Sequence, residues 1–344
     1  MGNYSRFIGI DAHKEYCFVN VQDEKGNVME SVKVETNKGR LLEFFSDYGE
    51  ESIATLESTY NWIFVYEIVK ECVGEIKLAN PRQTKAIASA KVKTDKVDAK
   101  TLAGLLRADL IPEIYVSNKE ERQQKDFLRF RYTIVRMRTS LKNKIHAFMT
   151  RYGFEAPFTD VFGVQGTNYI KNLEWPEPAK SIVFKYLELI EGFNREIKAI
   201  DKVLVQTIRE TEEMRLLKTI PGIGTVTAYL IATEIGQIDR FFSYKKLVSY
   251  AGLVPGINAS AGKVYFKRSK ERNKYLQWAF IEAAIPATRQ SPILLSKYTR
   301  IKKKKDSNKA KMTVARKLAE AAYKVLTKKQ PYQEGVTIRK ISSL

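Results

Sequence analysis

Within residues 6–35, three stretches patterned for β-structure follow one another with no helix between them. RFIGI is apolar and runs up to Asp11. EYCFVNVQ alternates and is rich in β-formers, and VMESVKVE alternates again after the turn sequence DEKGN, whose glycine tolerates positive φ. An antiparallel meander is the simplest structure for such a run. The pattern then changes. KGRLLEFFSDY reads as a short amphipathic helix, SIATLES as a buried strand ending at Glu57, NWIFVYEIVKECV as a helix and EIKLAN as another strand. Pro81 opens a helical region that carries VKTDKVDAKTLAGLLRADL. The predicted order is βββαβαβα, and few folds accommodate it.

The last helix of this series holds Asp95 and Asp98, three apart and therefore on nearly the same face. A solvated D-x-x-D pair is the bland reading, and half of a metal site is the sharp one. The chain carries 59 Lys and Arg against 39 Asp and Glu, a formal net charge of +20, which points to a polyanion such as nucleic acid. A length of 344 residues predicts two or three domains, and 44% hydrophobic residues fit a folded chain. Cys17 and Cys72 have no C-x-x-C partner, and the only histidines are His13 and His146, so a zinc site is not expected and a reducing cytoplasm is the expected compartment. MGNYSRFIGIDAHK meets charges at Arg6 and Asp11 and does not read as a signal peptide; no later window approaches a membrane span, so no membrane partner is expected.

Residues 117–150 carry a long helical pattern with Ser117 as the expected N-cap and Glu120 as its capping-box partner; Phe127, Ile134, Leu141, Ile145 and Phe148 form its apolar face. A loop is expected around TDVFGVQGTNY and EWPEPAK, then a second long helix from about 179 to 217. The two helices read as a coiled-coil-like connector, equally a plain spacer or a self-association element. IPGIGTVTAYLIATEIG reads as helix–turn–helix, with Gly222 and Gly224 letting backbone N–H groups approach a phosphate. This is the helix-hairpin-helix pattern of nonspecific DNA binders, alongside the plainer reading of an ordinary helical hairpin. GLVPGINASAGKVYFKRSKERNK has loop chemistry followed by a basic run, and RIKKKKDSNKAKMTVARKLAEAAYKVL is a basic run leading into an amphipathic helix. The predicted division is 1–112, 113–217 and 218–344, the last domain being mainly α.

The order βββαβαβα resembles the ribonuclease-H-like fold of nucleases, resolvases and transposases. That fold places acids at the ends of its first and fourth strands and on its last helix. The corresponding residues here are Asp11, Glu57, and Asp95 with Asp98. With all segments in order, FIGIDAHK, LESTYNW, LANPRQTKAIASAKVKTDKVDAKTLAGLL, IPGIGTVTAYLIATEIGQIDRF and YAGLVPGINASAGK together resemble the insertion-sequence family one-ten of transposases along nearly the whole chain. The resemblance implies a RuvC-like DEDD domain with Asp11, Glu57, Asp95 and Asp98 as its acids, and a C-terminal serine-bearing transposase domain. The family's S-S-G-G-K is A-S-A-G-K at 259–263 here, which points to Ser260 as the nucleophile, with Ser249 and Ser269 nearby. It also implies a prokaryotic, nucleoid-associated recombinase guided by a structured noncoding RNA, the bridge RNA, acting on donor and target DNA. Such enzymes work as dimers or tetramers, with a composite site drawn from two subunits.

Four clustered carboxylates repel unless a divalent cation neutralises them, and oxygen-only ligands suit Mg²⁺, with Mn²⁺ as a substitute. In the favoured reading the metal holds the scissile phosphate while Ser260 attacks, and Lys263, Lys267 and Arg268 offset the charge. The alternative is a metal-dependent Holliday-junction-resolvase-like nuclease that uses water; a third is a nucleic-acid-binding scaffold with a degenerate site.

Overall fold

The structure, a computed structural model, describes residues 4–88, 94–254, 256–260, 263–267 and 272–334, with backbone only for 256–260 and 263–267. The described chain divides into two compact units, Met1–Val116 and Ser117–Leu344.

In the first unit, β1 (Arg6–Ala12), β2 (Tyr16–Asp23) and β3 (Val28–Glu35) form the expected antiparallel meander. They are followed by α1 (Lys38–Phe45), β4 (Gly49–Glu57), α2 (Trp62–Val69) and β5 (Val73–Ala79). The sheet order is β3-β2-β1-β4-β5, with β4 and β5 parallel to β1. One sheet face buries Ile8, Ile10, Val19, Val21 and Leu56 against Leu41 and Phe45 of α1 and Val65 and Val69 of α2. These alternate apolar residues are what the strand period of two predicts. The helical region opened by Pro81 is two helices, α3 (Pro81–Ile87) and α4 (Asp95–Arg107). Asn80 caps α3, and Thr94 starts α4 anew by accepting from the Val97 N–H.

α4 lies on the other sheet face. At Gly9 an added Cβ would stand 2.1 Å from the Ala99 carbonyl oxygen and 2.4 Å from the Ala103 nitrogen. The glycine therefore admits the helix backbone directly onto β1, an approach any larger residue forbids.

In the second unit, α5 (Lys119–Arg151) is capped by Asn118, not Ser117: the Asn118 side chain accepts from the Glu121 N–H at 2.8 Å. Ser117 is buried and hydrogen-bonded to the Lys125 ammonium, so it is spent inside the unit. The segment expected as a loop contains α6 (Val164–Asn172). The second long helix ends earlier than expected. It is α7 (Ala179–Thr207), followed by a separate α8 (Glu212–Lys218) that Thr211 caps through the Met214 N–H. Far along the α5–α7 hairpin, Ile145, Met149, Ile170, Trp175, Val183 and Leu187 form a small core. Nearer its base, Leu128, Ile200 and Leu204 join the main core of the unit. Residues 117–217 and 218–334 thus share one compact unit, where the sequence division has a boundary between them.

The rest comprises α9 (Thr225–Ile235), α10 (Tyr244–Tyr250), the hairpin β6 (Gly256–Ser260) and β7 (Lys263–Lys267), α11 (Lys274–Gln290), α12 (Pro292–Lys304) and α13 (Ser307–Lys328). The sequence reading had a loop and basic run where β6 and β7 pair antiparallel. Ile231, Phe280, Val314 and Leu318 lie at the centre of this core.

Candidate active site

β1 and β4 run parallel with Ile10 opposite Leu56, so the next residue on each strand, Asp11 and Glu57, comes at adjacent strand ends. Ile10 and Leu56 face the apolar core, which turns Asp11 and Glu57 to the face covered by α4. There the first turn of α4 carries Asp95 and Asp98. Among the described residues, one group of metal-capable donors converges within 4.8 Å: Asp11, His13 and Asp95. Glu57 and Asp98 stand outside that group, although Asp98 is close enough for its charge to act on Asp11.

Each member of the group is held in place. His13 Nε2 lies 3.1 Å from Asp11 Oδ2 and 3.5 Å from Asp95 Oδ1. The Tyr16 hydroxyl donates to the second Asp95 oxygen, Oδ2, at 2.7 Å. Lys33 sits 4.4 Å from the centre of the Tyr16 ring. The His13 carbonyl accepts from Thr36 Oγ1 at 2.9 Å and from Asn61 Nδ2 at 2.8 Å, which ties the β1–β2 turn to α2.

The electrostatics are uneven. Burial pushes the Asp11 carboxyl above the usual carboxylate range; His13 opposes the shift, while Asp95 and Asp98 add to it. The Tyr16 hydrogen bond, aided by His13 and Lys33, holds Asp95 below that range. A half-buried carboxylate raised by burial and like charge is a group a cation would relieve, and Asp11, Asp95 and His13 all offer donors of the right type. The arrangement fits a divalent metal.

Ser260 ends β6 and pairs with Lys263 at the start of β7. Lys267 pairs with Gly256 at the other end, and Arg268 lies outside the described residues. The chain is closed below the hairpin by the Asn273 N–H donating to the Tyr250 carbonyl at 2.7 Å and by Gln277 Nε2 donating to the Gly252 carbonyl at 2.6 Å. Beneath this closure lies Glu234, 2% exposed, which accepts from Arg129 at 2.6 and 2.9 Å and from Asn273 Nδ2 at 2.8 Å.

Of the two glycines singled out for phosphate contact, Gly222 has φ +80° and packs on α11, and its N–H donates to Gln290 Oε1 at 2.8 Å. Gly224 is the N-cap of α9, with open space where a side chain would go.

Two family models match the chain. One, described as a transposase and carrying the name DEDD_Tnp_IS110, matches residues 8–154; the other, "Transposase IS116/IS110/IS902 family", matches residues 214–299. The chain belongs to the IS110 family of transposases. It is similar to the transposase for insertion sequence element IS1328 of Yersinia enterocolitica, at 24% identity over 80% of this chain and 82% of the relative. A probable family 20 transposase of Pseudomonas aeruginosa is 22% identical over 97% of this chain and all of its own length. The pilin gene-inverting protein of Moraxella bovis is 30% identical over 43% of this chain and 48% of its own. As a member of the IS110 family the protein is a DNA recombinase, and the first model spans both strands and the helix that carry Asp11, Glu57, Asp95 and Asp98. The second spans Ser260, Lys263, Lys267 and Arg268.

Sequence reasoning missed His13, Tyr16 and Gly9. The signal for His13 was its place two residues after Asp11, the spacing that returns an extended chain to the same face.

Proposed function

We propose that this IS110-family transposase cuts and rejoins DNA through a serine-linked strand, with Asp11, Glu57, Asp95 and Asp98 as the acids of a divalent-metal centre in a ribonuclease-H-like domain. The observation that carries the metal reading is the convergence of Asp11 and Asp95 from a strand end and a helix start, with Tyr16 fixing one Asp95 oxygen and leaving the other turned toward Asp11's neighbour His13. Mg²⁺ is the expected ion and Mn²⁺ its substitute. Bound there, it would polarise the scissile phosphate and steady the charge that develops on it.

The rest of the step belongs to the protein. The Ser260 hydroxyl loses its proton and forms an O–P bond, the bond from phosphorus to the leaving oxygen breaks, and that oxygen takes up a proton. Attack by another strand's hydroxyl reverses the sequence and releases Ser260, so no external energy source is needed. A serine hydroxyl is weakly nucleophilic at neutral pH. Neither His13 nor His146 lies in residues 218–344. Activation therefore comes from the acid centre, supplied by the same chain or another subunit of a dimer or tetramer. Lys263, Lys267 and Arg268 offset phosphate charge. The turn between α8 and α9, with Gly224 opening the α9 N-terminus, acts as a helix-hairpin-helix contact to the DNA backbone.

The net charge of +20 supports donor and target DNA and a structured guide RNA as partners. No helix among the described residues is long and apolar enough to cross a membrane. In this reading the DNA substrate sets the place of action, the prokaryotic cytoplasm at the nucleoid. The name of the pilin gene-inverting relative supports site-specific rearrangement over random insertion.

The test is a denaturing gel on the full chain with labelled DNA, guide RNA and Mg²⁺. A covalent protein–DNA adduct that Ser260→Ala and chelation each remove is the expected result. Cleavage without any adduct would instead mean that water is the nucleophile. An adduct that persists in Ser260→Ala and maps to Ser249 or Ser269 would reassign the serine.

A further inference from the structure

The converging donor group contains a nitrogen as well as carboxylate oxygens. We propose that His13 is itself a ligand of the divalent cation, which makes the centre a mixed nitrogen–oxygen site and His13 the residue that sets its metal preference. The inference rests on the metal reading above and adds a ligand outside the four acids.

The spacing carries it. Ligands about 2.1 Å from an octahedral cation and adjacent to one another stand roughly 3.0 Å apart, √2 times the bond length. His13 Nε2 is 3.1 Å from Asp11 Oδ2 and 3.5 Å from Asp95 Oδ1, close to that separation on both sides. A purely structural histidine needs one good acceptor. This one presents a single nitrogen to two carboxylates that come from different elements.

Its mounting is the second observation. The His13 N–H donates to the Tyr16 carbonyl at 2.9 Å, and its own carbonyl takes two side-chain donors, Thr36 and Asn61. The ring lies 5.1 Å from that of Tyr16. Backbone and ring are thus fixed from β2, from the segment after β3 and from the start of α2. That is the preorganisation a ligand needs and a solvent-facing turn residue does not. The His13 side chain is 42% exposed, which leaves the outer side of the centre open to a phosphate.

The chemistry follows from donor type. Imidazole suits transition metals, whereas Mg²⁺ favours oxygen. His13 therefore shifts the centre toward Mn²⁺ relative to an all-carboxylate site. The rival account makes His13 only a positive counter-charge for Asp11 and Asp95, displaced when metal enters.

The two accounts differ in a spectrum of the metal itself. Full-length protein is titrated with Mn²⁺, bound ion is counted by electron paramagnetic resonance, and pulsed spectra are examined for nitrogen modulation. With only two histidines in the chain, His146→Gln removes the one competing source. Expected are nitrogen modulation in the wild type and in His146→Gln, its loss in His13→Gln, and a Mn²⁺ affinity at least about tenfold weaker in His13→Gln, the scale of even an outer-shell loss. The Mg²⁺ affinity should fall less. Mn²⁺ binding that depends on Asp11 but shows no nitrogen modulation in the wild type, or modulation that survives His13→Gln, overturns the proposal and leaves the metal reading intact. If Mn²⁺ does not bind, or binds equally well to Asp11→Asn, the metal reading fails and this inference with it.

Discussion

The Tyr16 hydroxyl donates to one carboxylate oxygen of Asp95 at 2.7 Å, from a strand to the first residue of a helix far along the chain. The bond pushes the Tyr16 hydroxyl above its ordinary range and holds Asp95 below its own, so the pair is a phenol and a carboxylate at neutral pH. Outer-shell partners of this kind orient a ligand without touching the metal. Tyr16→Phe is therefore expected to weaken divalent-ion affinity by about 10- to 100-fold while leaving the fold unchanged. Titration with Mn²⁺ alongside a thermal melt checks both halves of the statement.

Gly9→Ala should act on the same centre from below. Its Cβ would meet backbone atoms of Ala99 and Ala103, which cannot swing aside as a flexible side chain can. Overpacking costs typically 1–3 kcal/mol, and here about 2 kcal/mol or more is expected because α4 must lift from β1. Urea unfolding reads the loss, and DNA strand exchange should fall further than stability, because Asp95 and Asp98 move with the helix.

The Glu234–Arg129 pair predicts a purely structural defect with a functional shadow. Glu234 is buried, and removing one member of such a pair leaves the other uncompensated. The Arg129 side chain left behind is about a third exposed and can be partly solvated, so Glu234→Ala is expected to cost about 1–3 kcal/mol in the second unit, measured by urea denaturation. Glu234→Gln, which keeps one of the two acceptor oxygens and turns an NH2 toward the remaining donors, should retain more stability and more adduct formation than Glu234→Ala but less than the wild type.

Asp306 offers a pH test. Its carboxylate caps α13 by accepting from the Lys309 N–H at 2.7 Å, and that bond lowers its pKa in the folded state. A folded pKa below the unfolded one stabilises above the unfolded value and is lost as pH falls through the folded value. The advantage of wild type over Asp306→Ala should hold at neutral pH and vanish in acid. Asp306→Asn, a cap without a charge, should keep its advantage over Asp306→Ala across the range. Thermal melts of the three proteins at stepped pH decide it.

The first sheet was legible because it obeys a local rule. RFIGI, EYCFVNVQ and SIATLES alternate or run apolar between turn residues, and the core of Ile8, Ile10, Val19, Val21 and Leu56 is that alternation folded up. Asp11, Glu57, Asp95 and Asp98 are singled out through the resemblance that the order of elements carries, and of these four the structure gathers Asp11 and Asp95 into the converging group. What escaped was either weakly patterned or tertiary. α6 is short and opens with VQGTNY, and β6 and β7 are five residues each, mostly small or polar in the first. Local capping strength, invisible to periodicity, moved one start from Ser117 to Asn118 and split two helices, at Thr94 and Thr211. The bond from Tyr16 to Asp95 and the cradle around Glu234 join residues that no sequence spacing relates.

The acid centre draws its described members from residues 11–98, and its supporting helix ends at Arg107. Ser260 is made much later. Units of a chain generally fold in the order they leave the ribosome, at about 5–20 residues per second. The half that would handle a phosphate is thus ready several seconds before the proposed strand-accepting hydroxyl has been translated. A ribosome-stalled or truncated product that ends before residue 260 would carry the acid residues without Ser260, and in the proposed mechanism such a form could occupy a place beside full-length copies without completing a transfer.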